Sequence, residues 1–473
     1  MSLARNAIGT ADLVFFVVAA AAPLTVMAGV APFAIGIGGV VAPLGYLLSG
    51  IVVGLFAAGF TAMSAHVRNA GAFYAYIGRG LGKITGLGSA YVAVISYNLI
   101  GIGLMAAFGV FASSTVSSVF GLDVPWQVWT LLCVAAVGVL GYLKITLSAR
   151  VLGVALVLEV LILLVFEGAV LLRGGSGLSL EPFNPAGLFS GGAGGMFVLS
   201  IGAFIGFEAT AIYAEEARDP RRTVPRATYA AVAFLAVFYT FTVWMIISAY
   251  GTDQAVAVAN GEGGADMVFT ATSRLVGTLA ADVMHVLIVT SCFAAALAFH
   301  NASTRYFYAL GREGVLPRPL ARISRNGSPA VAVAVQVALS LAVIVAGMAA
   351  GSDPYDVIFL WTNGTGIIGV MALQALAALA VVVFFRKDSR GYGFGRVIAA
   401  PFAAFLALGV MIVLVIKNFD LLTAASPAVN TLLILPVPVV FAIGAALAWR
   451  IRSRDSARYA LLTTIDVEET AHA

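Results

Sequence analysis

The chain has 473 residues, of which 61% are apolar and only 10% charged, with a mean hydropathy of +1.02. A water-soluble domain carries about 25% charged residues, so the composition excludes an ordinary soluble enzyme and implies a polytopic membrane protein. The net charge of +4 comes from Lys and Arg in short separate stretches, a pattern that orients a membrane chain and gives no basic surface for nucleic acid.

About twelve runs reach the ~18–25 apolar residues needed to cross a bilayer. The first, 12–35, carries Asp12 and lacks a small-residue cleavage site, so no cleavable signal peptide is expected. Its Pro23, followed by Gly29 and Pro32, predicts an interrupted helix. The second and third runs cover 40–65 and 84–118. In the third, Tyr97, Gly101 and Leu104 are spaced i, i+4, i+7 and share one face, beside Ser96. That face serves either a pocket or close helix packing through Gly101 and Gly109. The fourth and fifth runs are 126–146 and 149–172, and the fifth holds an acid at mid-depth, Glu159.

The sixth run, 193–217, contains SIGAFIGFEATAIYAEE, where Gly202 and Gly206 predict a second interruption and Glu208 stands beside it. A carboxyl inside a bilayer is costly and must be paired, protonated or wet. Glu208 is therefore either a fixed hydrogen-bond partner of freed amides or a proton-cycling gate. Glu215 and Glu216, near Arg218, Arg221 and Arg222, are expected to form loop salt bridges. Runs seven to ten cover 225–250, 278–310, 329–350 and 355–385; 397–417 and 430–450 complete the set, and 453–473 is expected to be a polar tail. His300-Asn301 in the eighth run has no accompanying nucleophile or oxyanion motif, so an enzyme is not expected. Cys133 and Cys292 both lie in apolar runs, and neither a disulfide, a metal nor a cofactor is expected.

With the N-terminus in the cytoplasm, only Arg173, Arg274 and Lys417 of the 26 Lys and Arg residues fall outside. The chain is thus expected in a cell membrane with both termini on its cytoplasmic side. The two interruptions occupy the first and sixth positions of two five-run sets, 12–172 and 193–385. Five is odd, so the second set enters from the opposite face, which predicts an inverted repeat with its site at the paired breaks. The whole is expected to be one all-α transporter domain, with 397–450 as two additional helices. A channel would need a continuous polar lining, which these runs lack.

Three segments resemble the amino acid–polyamine–organocation (APC) permease superfamily: GAFIGFEATAIYAEEARDPRRTVPRAT in the sixth run, NAGAFYAYIGRGLG at 69–82 and STRYFYALGREGVLP at 303–317. APLTV at 22–26 is similar to the first-helix break of one branch. The resemblance implies the five-plus-five, LeuT-type inverted repeat and secondary transport of amino acids or amines. Amides of Thr25, Val26, Met27, Ala28 and Gly29 at a half-helix N-terminus suit a substrate carboxylate, with the Thr25 hydroxyl as a further donor. Freed carbonyls near Ile201, Gly202 and Ile205 suit its ammonium, and the resemblance assigns both stretches those roles. It also puts Ser96, Tyr97, Gly101 and Leu104 beside the substrate, aligns Phe299 with a side-chain contact, and makes Phe204 and Phe207 either lids or packing residues. Several superfamily members carry a lysine where this chain has Glu159, so a proton or, failing that, sodium is the expected coupling ion. An uncharged pocket favours a neutral amino acid; an amine or polyamine importer, or an exchanger, is the alternative. Oligomeric state is open.

Overall fold

The computed structural model describes residues 9–67, 73–143, 149–173, 175–189, 192–208, 210, 219–325 and 327–462. Its elements are helices: α1 Thr10–Ala20, α2 Ala31–Gly38, α3 Ala42–Ser64, α4 Phe73–Leu81, α5 Lys83–Phe120, α6 Trp126–Leu143, α7 Ala149–Arg173 and α8 Ala193–Gly202. They continue as α9 Pro220–Tyr250, α10 Thr252–Ala259, α11 Met267–Leu275, α12 Thr278–Arg312, α13 Ala330–Ala349 and α14 Leu360–Phe385. The last are α15 Ala400–Lys417, α16 Asp420–Thr423, α17 Pro427–Ile434, α18 Pro436–Arg454 and α19 Ser456–Leu461. Helices predominate because a chain with so few charges must satisfy its backbone internally wherever lipid surrounds it.

Among the described residues, ten stretches are long and apolar enough to cross a membrane. The difference from the expected twelve runs has two causes. The first two runs count as one apolar stretch, Thr10–Ser64, because only short breaks separate their helices. Of the sixth run the described residues include the short helix α8, and 209 and 211–217, with Glu215 and Glu216, lie outside the described residues, as does Arg218. The connection between α9 and α11 is itself helical over α10.

α5 is the axis. Its 38 residues extend about 57 Å at 1.5 Å each. It packs against α12, α14 and α18, while α9 packs against α3 and α1. Small residues allow the close approaches: a Cβ on Gly366 would stand 2.9 Å from the Ser96 carbonyl, and one on Gly88 would stand 2.9 Å from the Phe441 ring. The large apolar side chains that remain exposed, such as Leu132, Val154, Leu161, Val410 and Leu432, cover the outer helices α6, α7, α15 and α17, as lipid-facing surface requires.

Candidate functional site

Both expected interruptions are present, and they touch. After α1 the backbone turns at Ala21 and Ala22, where Ala22 adopts φ 46, and helix resumes at Pro23. Proline at this restart sacrifices no hydrogen bond, because the first amides of a helix have no internal acceptor. Thr25–Val30 then forms a π-helix, a feature that concentrates at functional sites. α8 ends at Gly202, and Ala203–Glu208 runs as turns through Gly206, at φ 115. A Cβ on Gly206 would lie 3.3 Å from the Ala20 Cβ, so glycine serves both the backbone angle and the approach of the two breaks.

A cavity of ≈70 Å³ opens between them. One water occupies about 10–15 Å³ on this measure, so the space holds roughly five to seven water-sized groups, close to the heavy-atom count of a small amino acid. Its walls are apolar apart from Thr25 and Asn363. Both present a buried polar atom with no hydrogen-bond partner, the Thr25 Oγ1 and the Asn363 Nδ2. Native interiors rarely leave such atoms unpaired; the Asn363 Nδ2 lies towards α5, 2.1 Å from where a Cβ on Gly103 would stand.

Of the residues expected to touch substrate, the cavity is lined by Thr25, Val26, Leu104, Gly202, Ile205 and Phe299. The others sit behind it. Met27 and Ala28 are buried in the π-helix, and Gly29 meets the Phe111 ring, with its carbonyl accepting from the Tyr355 hydroxyl at 2.8 Å. Ser96 packs on Gly366 and Gly369 of α14. Gly101 faces Phe299, His300 and Gln336 on α12 and α13, not the cavity. Ile201 is buried beside the turn, and its carbonyl and that of Gly202 accept from Phe204 and Ile205 amides at 3.1 Å. Phe204 stacks edge-on to Tyr239, and Phe207 packs on Phe56 and Phe60.

The restart of the first helix differs in one respect from expectation. It begins at Pro23, two residues before Thr25, so the amides left without a helical acceptor include Leu24 and Thr25. Both already have partners: Leu24 N–H donates to Glu159 Oε2 at 3.5 Å, and Thr25 N–H to Ser291 Oγ at 3.4 Å. Ser291 Oγ in turn donates to Glu159 Oε2 at 2.7 Å. Val26 N–H donates to Ala22 O at 3.0 Å. Glu159 thus stands at a helix N-terminus, where backbone dipoles favour negative charge. Glu208 is held differently. The Tyr97 hydroxyl donates to its Oε1, and Gly206 N–H donates to its Oε2 at 2.9 Å. Tyr97 is sandwiched by Phe299 and Tyr306, which fixes that hydroxyl.

Sequence reasoning missed the contribution of α14. Phe359, Leu360, Asn363, Gly364 and Ile367 form one wall of the cavity. The signal was present: TNGTG at 362–366 is a cluster of small and polar residues inside an apolar run. It also missed two further buried acids, Glu167 on α7 and Glu313 just after α12. Among the described residues, no three His, Cys, Asp or Glu side chains converge as metal ligands. His300 Nδ1 pairs with Gln336 Oε1, a contact between helices.

The long apolar helices define a multi-pass membrane protein, with a cavity at two touching breaks. The amino acid permease family model matches residues 12–456, and the chain belongs to that family, within the APC superfamily of membrane transporters. It is 28% identical over 340 residues to an uncharacterized transporter of Mycobacterium tuberculosis, covering 65% of this chain and 67% of that protein. It is 26% identical over 371 residues to the lysine-specific permease of Escherichia coli, covering 74% and 71%. It is 25% identical over 303 residues to the branched-chain amino acid permease of Lactococcus lactis, covering 60% and 64%. These relatives are transporters, not enzymes.

Proposed function

We propose that the chain is a proton-linked importer of small neutral amino acids that works by alternating access. Residues 12–172 and 193–385 act as inverted repeats of the LeuT type, with 397–450 as two added helices and 453–473 as a tail. The chain lies in the cell membrane with both termini in the cytoplasm. The observation that supports the reading is the small apolar cavity whose two polar lining side chains, Thr25 and Asn363, each carry a buried donor atom without a partner. A zwitterion's carboxylate fits those two donors. No acid lines the cavity, so a cationic side chain or a polyamine would find no counter-charge there.

Coupling follows from the partners of Glu159. As a carboxylate it accepts from Leu24 and Ser291, and through Ser291 it holds the Thr25 amide. Protonation weakens those bonds and releases two amides at a helix N-terminus, where a substrate carboxylate can take them. Proton and substrate then load together. Glu208 gates: it ties the second break to α5 through Tyr97, and Phe207 anchors that break in its aromatic cluster.

The test is uptake of labelled amino acids and amines into proteoliposomes, with and without a pH gradient. The expected result is gradient-driven accumulation of small neutral amino acids, and no accumulation of their decarboxylated amines. Glu159→Gln should keep exchange and lose accumulation. Equal handling of an amino acid and its amine would transfer the reading to amines.

A further inference from the structure

Glu167 has no part in the site described above, yet its side chain is buried, at 1% exposure, inside a membrane-crossing helix. Its Oε2 has no partner, and its other oxygen meets one group, the Thr242 hydroxyl of α9, at 2.5 Å. A single hydrogen bond is poor compensation for burying a carboxylate, so the position calls for a function.

The Thr242 hydroxyl indicates which one. Its Oγ1 lies 2.9 Å from Phe238 O as well as beside Glu167. A hydroxyl has one proton to give. When it donates to the Phe238 carbonyl, its oxygen can accept from a protonated Glu167. When it swings to Glu167, it donates to the carboxylate. One rotation of one hydroxyl therefore satisfies either protonation state without moving the backbone.

Glu167 is also in line with Glu159. The two lie eight residues apart on α7, about 12 Å along the axis, with buried Leu163 four residues from each. α9 lays a polar strip beside that gap. Tyr239 is three residues before Thr242 on the same helix, and its hydroxyl donates to Ala21 O at 3.3 Å, at the first break. The Tyr46 ring packs edge-on to Tyr239 with its own buried hydroxyl unpartnered. Glu167 is the carboxyl nearer Arg173, at the end of α7 that the charge bias puts outside.

We propose that Glu167 is a second proton carrier, which takes a proton from the Arg173 side of the membrane and passes it along α7 and α9 to Glu159. The proposal rests on the proton-linked reading above and deepens it. The carboxylate of Glu167 binds a proton from external water; the proton then moves to the Glu159 carboxylate, which restores Glu167 as the anion. Several of the other titratable groups on the elements packed against α7 are engaged elsewhere. Asp12 of α1 accepts from Gly9 N–H, and Tyr250 of α9 donates to Met267 O. Arg274 of α11 donates to Ala249 O. His285 of α12 stacks on Phe269 at 4.0 Å with Asp266 and Asp282 as its charged neighbours. Cys292 of α12 donates to Leu104 O.

The experiment uses the full chain in proteoliposomes, with a mixture of labelled alanine, serine and valine as probe. Glu167→Gln, Thr242→Val and Thr242→Ser are compared with wild type for gradient-driven uptake, for exchange at equal pH, and by infrared difference spectra between acid and alkaline buffer. Glu167→Gln is expected to slow gradient-driven uptake by about a hundredfold or more, the scale of a lost proton-transfer group, while exchange persists. It should also remove one protonated-carboxyl band from the difference spectrum. Thr242→Val should slow gradient-driven uptake in the same direction, and Thr242→Ser, which keeps the hydroxyl, should restore it. Full gradient-driven uptake in Glu167→Gln, or an unchanged spectrum, overturns the carrier role alone. Loss of exchange along with uptake makes Glu167 structural and also overturns it. Wild-type uptake indifferent to the gradient overturns the proton-linked reading, and the carrier role with it.

Discussion

Thr25→Val separates a ligand-binding hydroxyl from a structural one by the sign of two measurements. Valine keeps the branched shape of threonine in the π-helix and replaces only the hydroxyl. In the empty protein Thr25 is 3% exposed and its buried hydroxyl oxygen has no partner, so the hydroxyl contributes a desolvation cost of about 1–3 kcal/mol and no bond. Its removal should leave the ligand-free protein as stable as before, or more so. With substrate bound, the same hydroxyl donates to a carboxylate, a charge-assisted bond worth about 1.5–3 kcal/mol. Losing it should weaken binding by roughly tenfold to a hundredfold. The assay pairs ligand-free thermal unfolding in detergent with the concentration dependence of exchange. A lower unfolding temperature would show that the hydroxyl already has a structural partner. Unchanged affinity would show that it never meets the substrate; either result refutes the reasoning.

Three further perturbations test the geometry around the site. Gly206→Ala forces a side chain onto φ 115 and against Ala20, and should destabilise the protein by about 1–3 kcal/mol, whereas Ala22→Gly, which relieves φ 46, should be close to neutral; thermal unfolding of both decides it. Gly101→Ala should be tolerated, because its nearest neighbour, the Phe299 Cβ, would be 3.5 Å from the new methyl; Gly101→Leu should push Phe299 into the cavity and narrow substrate choice towards smaller side chains, read by exchange competition. Burial holds the Glu313 carboxyl above the ordinary glutamate range, against the Tyr74 hydrogen bond and the charges of Arg312 and Lys83. The folded protein therefore keeps this proton where the unfolded chain has lost it. Stability falls as pH rises from about 4.3 through the raised value, and Glu313→Gln should flatten that slope in unfolding measured against pH.

The two breaks were legible in the sequence because backbone chemistry is local. Pro23 and the Gly202–Gly206 pair restrict or free φ wherever they fall, and no tertiary contact is needed to see it. The start of the restarted helix was read two residues late, because Pro23 was taken as the disruption and not as the first residue of the new helix. Facing was harder. Tyr97, Gly101 and Leu104 do share a face of α5, but that face divides between Glu208, α12 and the cavity, and only Leu104 reaches the cavity. Helical spacing says which residues point together; it says nothing about which neighbour fills the space in front of them. The α14 wall was missed for the same reason, since an Asn in an apolar run reads equally as packing glue between helices.

Glu167 marks a different limit. In sequence it is one acid near the end of an apolar run, and an acid two turns from a helix end is ordinarily taken as interfacial, free to reach water. What makes it costly is α9 lying across it, a contact 75 residues away in the chain. The buried acids of this protein are thus unequal in a way that only packing shows. Glu208 has two donors and is tied between two elements. Glu159 has two donors at a helix N-terminus. Glu167 has one hydroxyl that can face either way. The group with the fewest fixed donors is the one whose anion is least stabilised by its surroundings, and therefore the one for which gaining a proton requires the least rearrangement. The same ordering, one donor at Glu167 and two at Glu159, makes Glu167 the group that takes a proton first; onward transfer requires Glu159 to lose donors, which a substrate carboxylate brings about by taking the Leu24 and Thr25 amides.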